Sequence, residues 1–235
     1  MNKSDTANFL LFLQELRKDP HGSKLIVTAA TNILPFVGSD GKPSSDVSNF
    51  AKVLDFVALM VYDIWGSWSP GVGPNAPLND TCAATKNQVG SAVSAVQKWH
   101  DAGIPYDQLV LGVASYGHSF EVNETEAFEP GSKSILAPYP SFNSTAYPKG
   151  DAWDNQTKLD VCGNPQPNAG TYTLRGLFQN GFIDENGKPL TGKDISFRFD
   201  DCSKTVSFFF PFSFLFSFSC LLSQVFTSSG LGICV

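Results

Sequence analysis

The chain has 235 residues, 42% of them hydrophobic, and a net charge of −6. That is enough apolar material for one core of ordinary size, or for one domain with an insertion. The acidic balance, with no cluster of Lys and Arg, excludes a phosphate-binding face and with it nucleic acid as a partner. The amino-terminal stretch MNKSDTANFLLFLQELRKD is apolar only from Phe9 to Leu13 before Glu15 and Arg17, too short a run for a signal peptide. With Phe9, Leu10, Phe12, Leu13 and Leu16 at helical spacing, it predicts an amphipathic helix. After the Pro20-His-Gly22 break comes a short apolar strand, Leu25 to Ala30. Asp46 to Leu54 predicts a helix capped by Ser45 or Asp46, and Phe56 to Tyr62 a second strand. Val89, Ala92, Val93, Val96 and Trp99 mark one face of a further helix that stops at Gly103, and Gln108 to Ala114 is again a strand. Strands that are apolar on both faces and separated by helices imply an α/β fold with a parallel sheet, whose functional residues sit at the carboxyl ends of the strands.

Two of those ends carry polar groups. Tyr62-Asp63 closes one strand and Tyr116-Gly-His118 follows the next. Alternation points Met60 and Tyr62 the same way and leaves Asp63 at the lip. Each has a plain structural reading too: Met60 as core filler, Tyr62 as a buried aromatic, Asp63 as the cap of the next turn. Asn79-Asp-Thr, Asn123-Glu-Thr, Asn143-Ser-Thr and Asn155-Gln-Thr are N-glycosylation acceptors and suggest a secretory origin. The five cysteines form no C-x-x-C pair, which argues against zinc, and an odd number leaves at least one unpaired. Cys82, Cys162 and Cys202 could supply one disulfide, and the sequence does not say which two. No metal or cofactor is expected.

Leu-Ile-Val-Thr-Ala-Ala30, Met-Val-Tyr-Asp63 and Leu-Gly-Val-Ala-Ser-Tyr-Gly-His118 together resemble the fifth, sixth and seventh strands of a glycoside hydrolase family 18 chitinase of fungal type. The phrase DIWGSWSPGVGPNAPLNDTC lengthens the match, which covers about residues 5 to 205. The resemblance implies an incomplete (β/α)8 TIM barrel with an inserted α+β chitinase insertion domain. Residues 1–118 would be the partial barrel from helix four to strand seven, 119–196 the insertion domain, and 197–205 the return toward the barrel. It further implies hydrolysis of β-1,4-N-acetylglucosamine linkages, chitin or chito-oligosaccharides as partner, and an extracellular location. In this family the N-acetyl oxygen of the sugar, rather than a protein carboxylate, attacks the anomeric carbon with overall retention. By the same resemblance Tyr62 donates its hydroxyl to that oxygen, Asp63 hydrogen-bonds the substituents of the reacting sugar, and Met60 lines the pocket beneath it. Trp65 and Trp68 are candidate stacking platforms, since a pyranose offers C–H bonds to an indole face; the alternative is that they pack on the barrel rim. Tyr116 borders the cleft, and His118 stands where many relatives carry Arg.

The family's general acid lies in a D-x-x-D-x-D-x-E run after strand four, and this sequence holds no such run. The nearest lookalike, Asp151-Ala-Trp-Asp154-Asn-Gln-Thr-Lys158, fails at both later positions. The expectation is therefore a chitinase-like protein acting on or binding N-acetylglucosamine polymers and inactive as this chain; the alternative is a non-catalytic, lectin-like chitin-binding remnant. From Val206 the composition turns abruptly to Phe, Ser and Leu, so residues 206–235 read as a non-native apolar tail of translated intron sequence. The rival reading, a transmembrane helix from Val206 to Leu222, is interrupted by Pro211 and the serines.

Overall fold

The apolar runs between breakers become short elements, and side chains take over backbone hydrogen bonds just before two of them, β1 and α3. In this computed structural model the described residues are 3–154, 158–190, 195–210 and 214–219. They form two compact units, one of residues 1–61 and 90–113, the other of residues 62–89 and 114 onward. This division differs from the expected boundary at residue 118, because the segment that follows Val61 belongs with the second unit.

In the first unit α1 (Asp5–Lys18) precedes β1 (Thr28–Thr31), α2 (Ser48–Ala51), β2 (Phe56–Met60), α3 (Ala92–Asp101) and β3 (Leu109–Gly112). The sheet runs β1-β2-β3, all parallel, with Ala30 opposite Ala58 and Ala58 opposite Val110. β1 starts three residues later than Leu25 because its approach is held by side chains. Arg17 donates to the carbonyls of Val53 (2.8 Å) and Leu25 (2.7 Å), and Asp55 accepts from the amide of Val27 (2.7 Å) and from Arg17 (2.8 Å). That amide and the Arg17 guanidinium hold the Asp55 carboxyl below the usual carboxylate range. α3 likewise starts at Ala92 rather than Val89, since Gly90 lies at φ +139° and Ser91 forms a capping box with Ser94. Trp99 of α3 is fully buried, packs edge-on against Phe36 and donates to the carbonyl of Asn32 (3.0 Å). On one face of the sheet Val57 and Leu59 are buried while Leu111, opposite Leu59 at its edge, is exposed; on the other face Met60 and Val110 are exposed.

The second unit is built on an antiparallel sheet. Its strands are β4 (Tyr116–Glu121), β7 (Thr171–Thr173), β8 (Ser196–Asp200), β9 (Thr205–Phe210) and β10 (Phe214–Ser219), in the order β7-β4-β10-β9-β8. Between β4 and β7 lie α4 (Glu124–Ala127) and the small hairpin of β5 (Lys158–Leu159) and β6 (Pro165–Gln166), and α5 (Leu174–Gln179) follows β7. Cys82 and Cys202 are disulfide-bonded, and Cys162 is exposed and has no partner among the described residues. Two acceptor sequences, at Asn123 and Asn143, sit in exposed positions, and Asn155 to Thr157 lie outside the described residues.

The first residues of the apolar tail take part in the second unit's core. Val206 and Phe208 on one side of β9 join Leu177 and Ile183, while Phe209 and Leu215 join Phe120, Val122 and Leu136. A run of β-branched and aromatic residues has the propensity to pair once a strand such as β4 offers a free edge. The same finding corrects the transmembrane reading: Thr205–Phe210 and Phe214–Ser219 are strands, and the rest of that segment lies outside the described residues. Among the described residues no helix is long and apolar enough to cross a membrane.

Candidate functional site

Asp63 lies three residues beyond the end of β2, where the chain turns through a left-handed backbone position with φ +56°. Asp is one of the few residues that tolerate that region. The turn aims its carboxylate at β4: the Tyr116 hydroxyl donates to Asp63 Oδ1 at 2.5 Å, and His118 Nε2 lies 3.0 Å from the same oxygen. Tyr116 and His118 are two apart on β4, so both project from one face of the strand. Asp63 Oδ2 takes no hydrogen bond among the described residues, and about half of the Asp63 side chain is exposed. Burial, and then the hydrogen bond and charge of Asp63, push the Tyr116 phenol far above its ordinary value. It therefore stays a protonated donor throughout the neutral range.

The aromatic residues divide. Tyr62 stands edge-on to Tyr116 with ring centres 6.1 Å apart, and its hydroxyl makes no hydrogen bond among the described residues. Trp68 is 62% exposed and meets His118 edge-on at 5.7 Å. Its indole folds back over Gly66, where a Cβ would come within 2.3 Å of the ring, so only glycine permits this placement. Trp65 corrects the expected platform role, being only 3% exposed. It packs against Tyr139 at 5.2 Å and over Gly73, where an added Cβ would meet the indole at 2.2 Å. With its face covered, it cannot stack on a sugar. Met60 falls in the first unit, at the end of β2 opposite Gly112, and is 37% exposed.

A residue the sequence reading passed over holds the cluster's frame. Asn75 is fully buried; its Oδ1 accepts from the Asp63 amide (3.0 Å) and its Nδ2 donates to the Tyr116 carbonyl (2.8 Å). It sits in an aperiodic loop, and the signal available was an amide side chain among glycines and prolines. Asp151 and Asp154, the lookalike pair, serve the backbone instead. Asp151 accepts from the amide (2.8 Å) and hydroxyl (2.6 Å) of Thr173, and Asp154 from the amide of Gly170 (2.8 Å). No group of His, Cys, Asp and Glu among the described residues could hold a metal ion.

The sequence family described as glycosyl hydrolases family 18 matches residues 1–186. The chain belongs to that family. A chitinase-like effector of Moniliophthora perniciosa is 54% identical over 205 residues, covering 87% of this chain and 46% of that protein. A chitinase-like effector of Moniliophthora roreri is 49% identical over 205 residues, covering 87% of this chain and 49% of that protein. The solved chitinase RmChi1 of Rhizomucor miehei superposes with a TM-score of 0.76 at 31% identity, covering 93% of this chain and 56% of that one. The chain thus spans about half the length of the curated relatives it matches. The fold is that of a family 18 TIM barrel in part: β1 to β3 with their helices make up three of its parallel strands.

Proposed function

We propose that the Asp63 cluster holds an N-acetylglucosamine unit of a chito-oligosaccharide and that this chain does not hydrolyse it. The observation that carries the reading is the division of labour on one carboxylate: Oδ1 takes both Tyr116 and His118, and Oδ2 is left open at a half-exposed position. A carboxylate steadied on one oxygen can accept a hydroxyl or amide donor from a sugar on the other. The unengaged hydroxyl of Tyr62 supplies a donor for the acetamido oxygen, and exposed Trp68 an apolar face for a pyranose. Hydrolysis is a different matter, since the D-x-x-D-x-D-x-E run that carries the family's acid is not in this sequence. The relatives named chitinase-like effectors fit a non-catalytic binding role. The disulfide and the acceptor sequences support an extracellular location.

Co-sedimentation with insoluble polysaccharide tests this. The protein should be depleted from solution by chitin and not by cellulose, which has no acetamido groups. Trp68→Ala should weaken retention roughly 2- to 10-fold, the worth of one stacking contact. Equal retention on both polymers, or on neither, would refute the proposed site.

A further inference from the structure

Asn75 joins two pieces of backbone that are far apart in sequence, and both belong to residues of the cluster. It is 12 residues from Asp63 and 41 from Tyr116, and its single amide group bonds one with each end. Its own carbonyl accepts from the Ile64 amide (3.0 Å), so the turn that carries Asp63 is fixed at successive amides. The orientation of the amide is dictated by its partners, because a flipped group would set Oδ1 against a carbonyl and Nδ2 against an N–H. The side chains of Asp63 and Tyr116 then meet at 2.5 Å with Asp63 at φ +56°. Asp tolerates that region better than most residues, but the position still costs energy relative to extended backbone, and the hydrogen bonds to Asn75 offset it. Asn75 is 0% exposed and has no free face to offer a ligand.

We propose that Asn75 is a positioning residue: it holds Asp63 in its left-handed turn and at a set distance from Tyr116, and acts on sugar recognition through those two residues without touching the sugar. The effect on recognition rests on the proposed sugar site; the effect on Asp63 does not. The physical reason is that two hydrogen bonds in a dry environment, anchored at both ends, resist rotation of the Asp63 carboxylate away from β4.

Two measurements decide it. In the intact wild-type protein the Asp63 amide should exchange with solvent at least about 100-fold more slowly than a free amide, despite its position at a half-exposed residue, since its proton is donated to a buried acceptor. Exchange at the free rate would overturn the proposal without any variant having to fold. The second is the crystal structure of Asn75→Ala with its affinity for chitotetraose. Asp63 should leave the left-handed region, the Tyr116–Asp63 contact should open, and affinity should fall about 10-fold, the loss of one such hydrogen bond. If Asp63 and Tyr116 keep their geometry in that variant, the proposal fails. If the geometry changes as expected while the wild-type protein binds no chitotetraose, it is the sugar site that fails and the positioning role that stands.

Discussion

Replacing both Cys82 and Cys202 by serine should lower the stability of the second unit by about 5 kcal/mol, the closure entropy of so long a loop. The two cysteines are 120 residues apart in sequence, and the bond removes from the unfolded chain all conformations in which they separate. In the folded unit the bond lies next to a hydrogen bond from the Leu78 amide to the Ser203 carbonyl (2.9 Å), which ties the same two segments. That hydrogen bond alone is worth about 1 kcal/mol, small beside the closure entropy that the covalent link removes from the unfolded chain. For a chain of this size the loss corresponds to a fall in melting temperature of roughly 10–20 °C, and reducing agent should produce the same fall in the wild-type protein. Calorimetric melting of the double variant, and of the wild type with and without reductant, measures both. A shift below 2 °C in the two cases would mean that the reduced chain keeps its ends together by other contacts.

The second large effect is on chemistry. Protonation of the leaving oxygen by a positioned acid is typically worth about 10²–10⁴ in rate, and the D-x-x-D-x-D-x-E run that would carry the acid is not in this sequence. Asp63 is engaged by Tyr116 and His118, and Asp151 and Asp154 are spent on backbone amides. Residues 1–235 incubated with chito-oligosaccharides should therefore release reducing ends no faster than buffer. A chain extended upstream to carry a D-x-x-D-x-D-x-E strand should gain at least about 100-fold, and should lose most of that gain on Asp63→Ala or Tyr62→Phe. Turnover by the unextended chain would require another carboxyl group to act as the acid and would overturn the expectation.

How much of this was legible in the sequence depended on how local the signal was. The three parallel strands were legible because each is a continuous apolar run between breakers, and α3 because Trp99 and its neighbours repeat at helical spacing. Strand starts were misplaced where Arg17 and Asp55 take the backbone of Leu25 and Val27 out of the ladder, a contact across 38 residues that no local pattern reports. Asp63 and Tyr116 stood out as polar groups following apolar runs, and His118 through the resemblance of its stretch to a family 18 strand; that the three side chains meet on one oxygen was not legible, since Asp63 is more than 50 residues from the other two. Trp65 was left open between platform and packed aromatic because its burial depends on Gly73, eight residues on, leaving room for an indole. Asn75 was missed because its meaning lies entirely in its two partners. The tail was read from its composition, which cannot reveal that Phe208, Phe209 and Leu215 would find buried places on the two faces of a sheet.

The central claim is that the Asp63 carboxylate, steadied by Tyr116 and His118, receives a sugar. Titration calorimetry of wild type and Asp63→Ala with chitotetraose tests it most directly. Binding by the wild type should be saturable and should weaken about 10- to 100-fold in the variant, the worth of a hydrogen bond to a charged group. Equal affinity in the two proteins would contradict it.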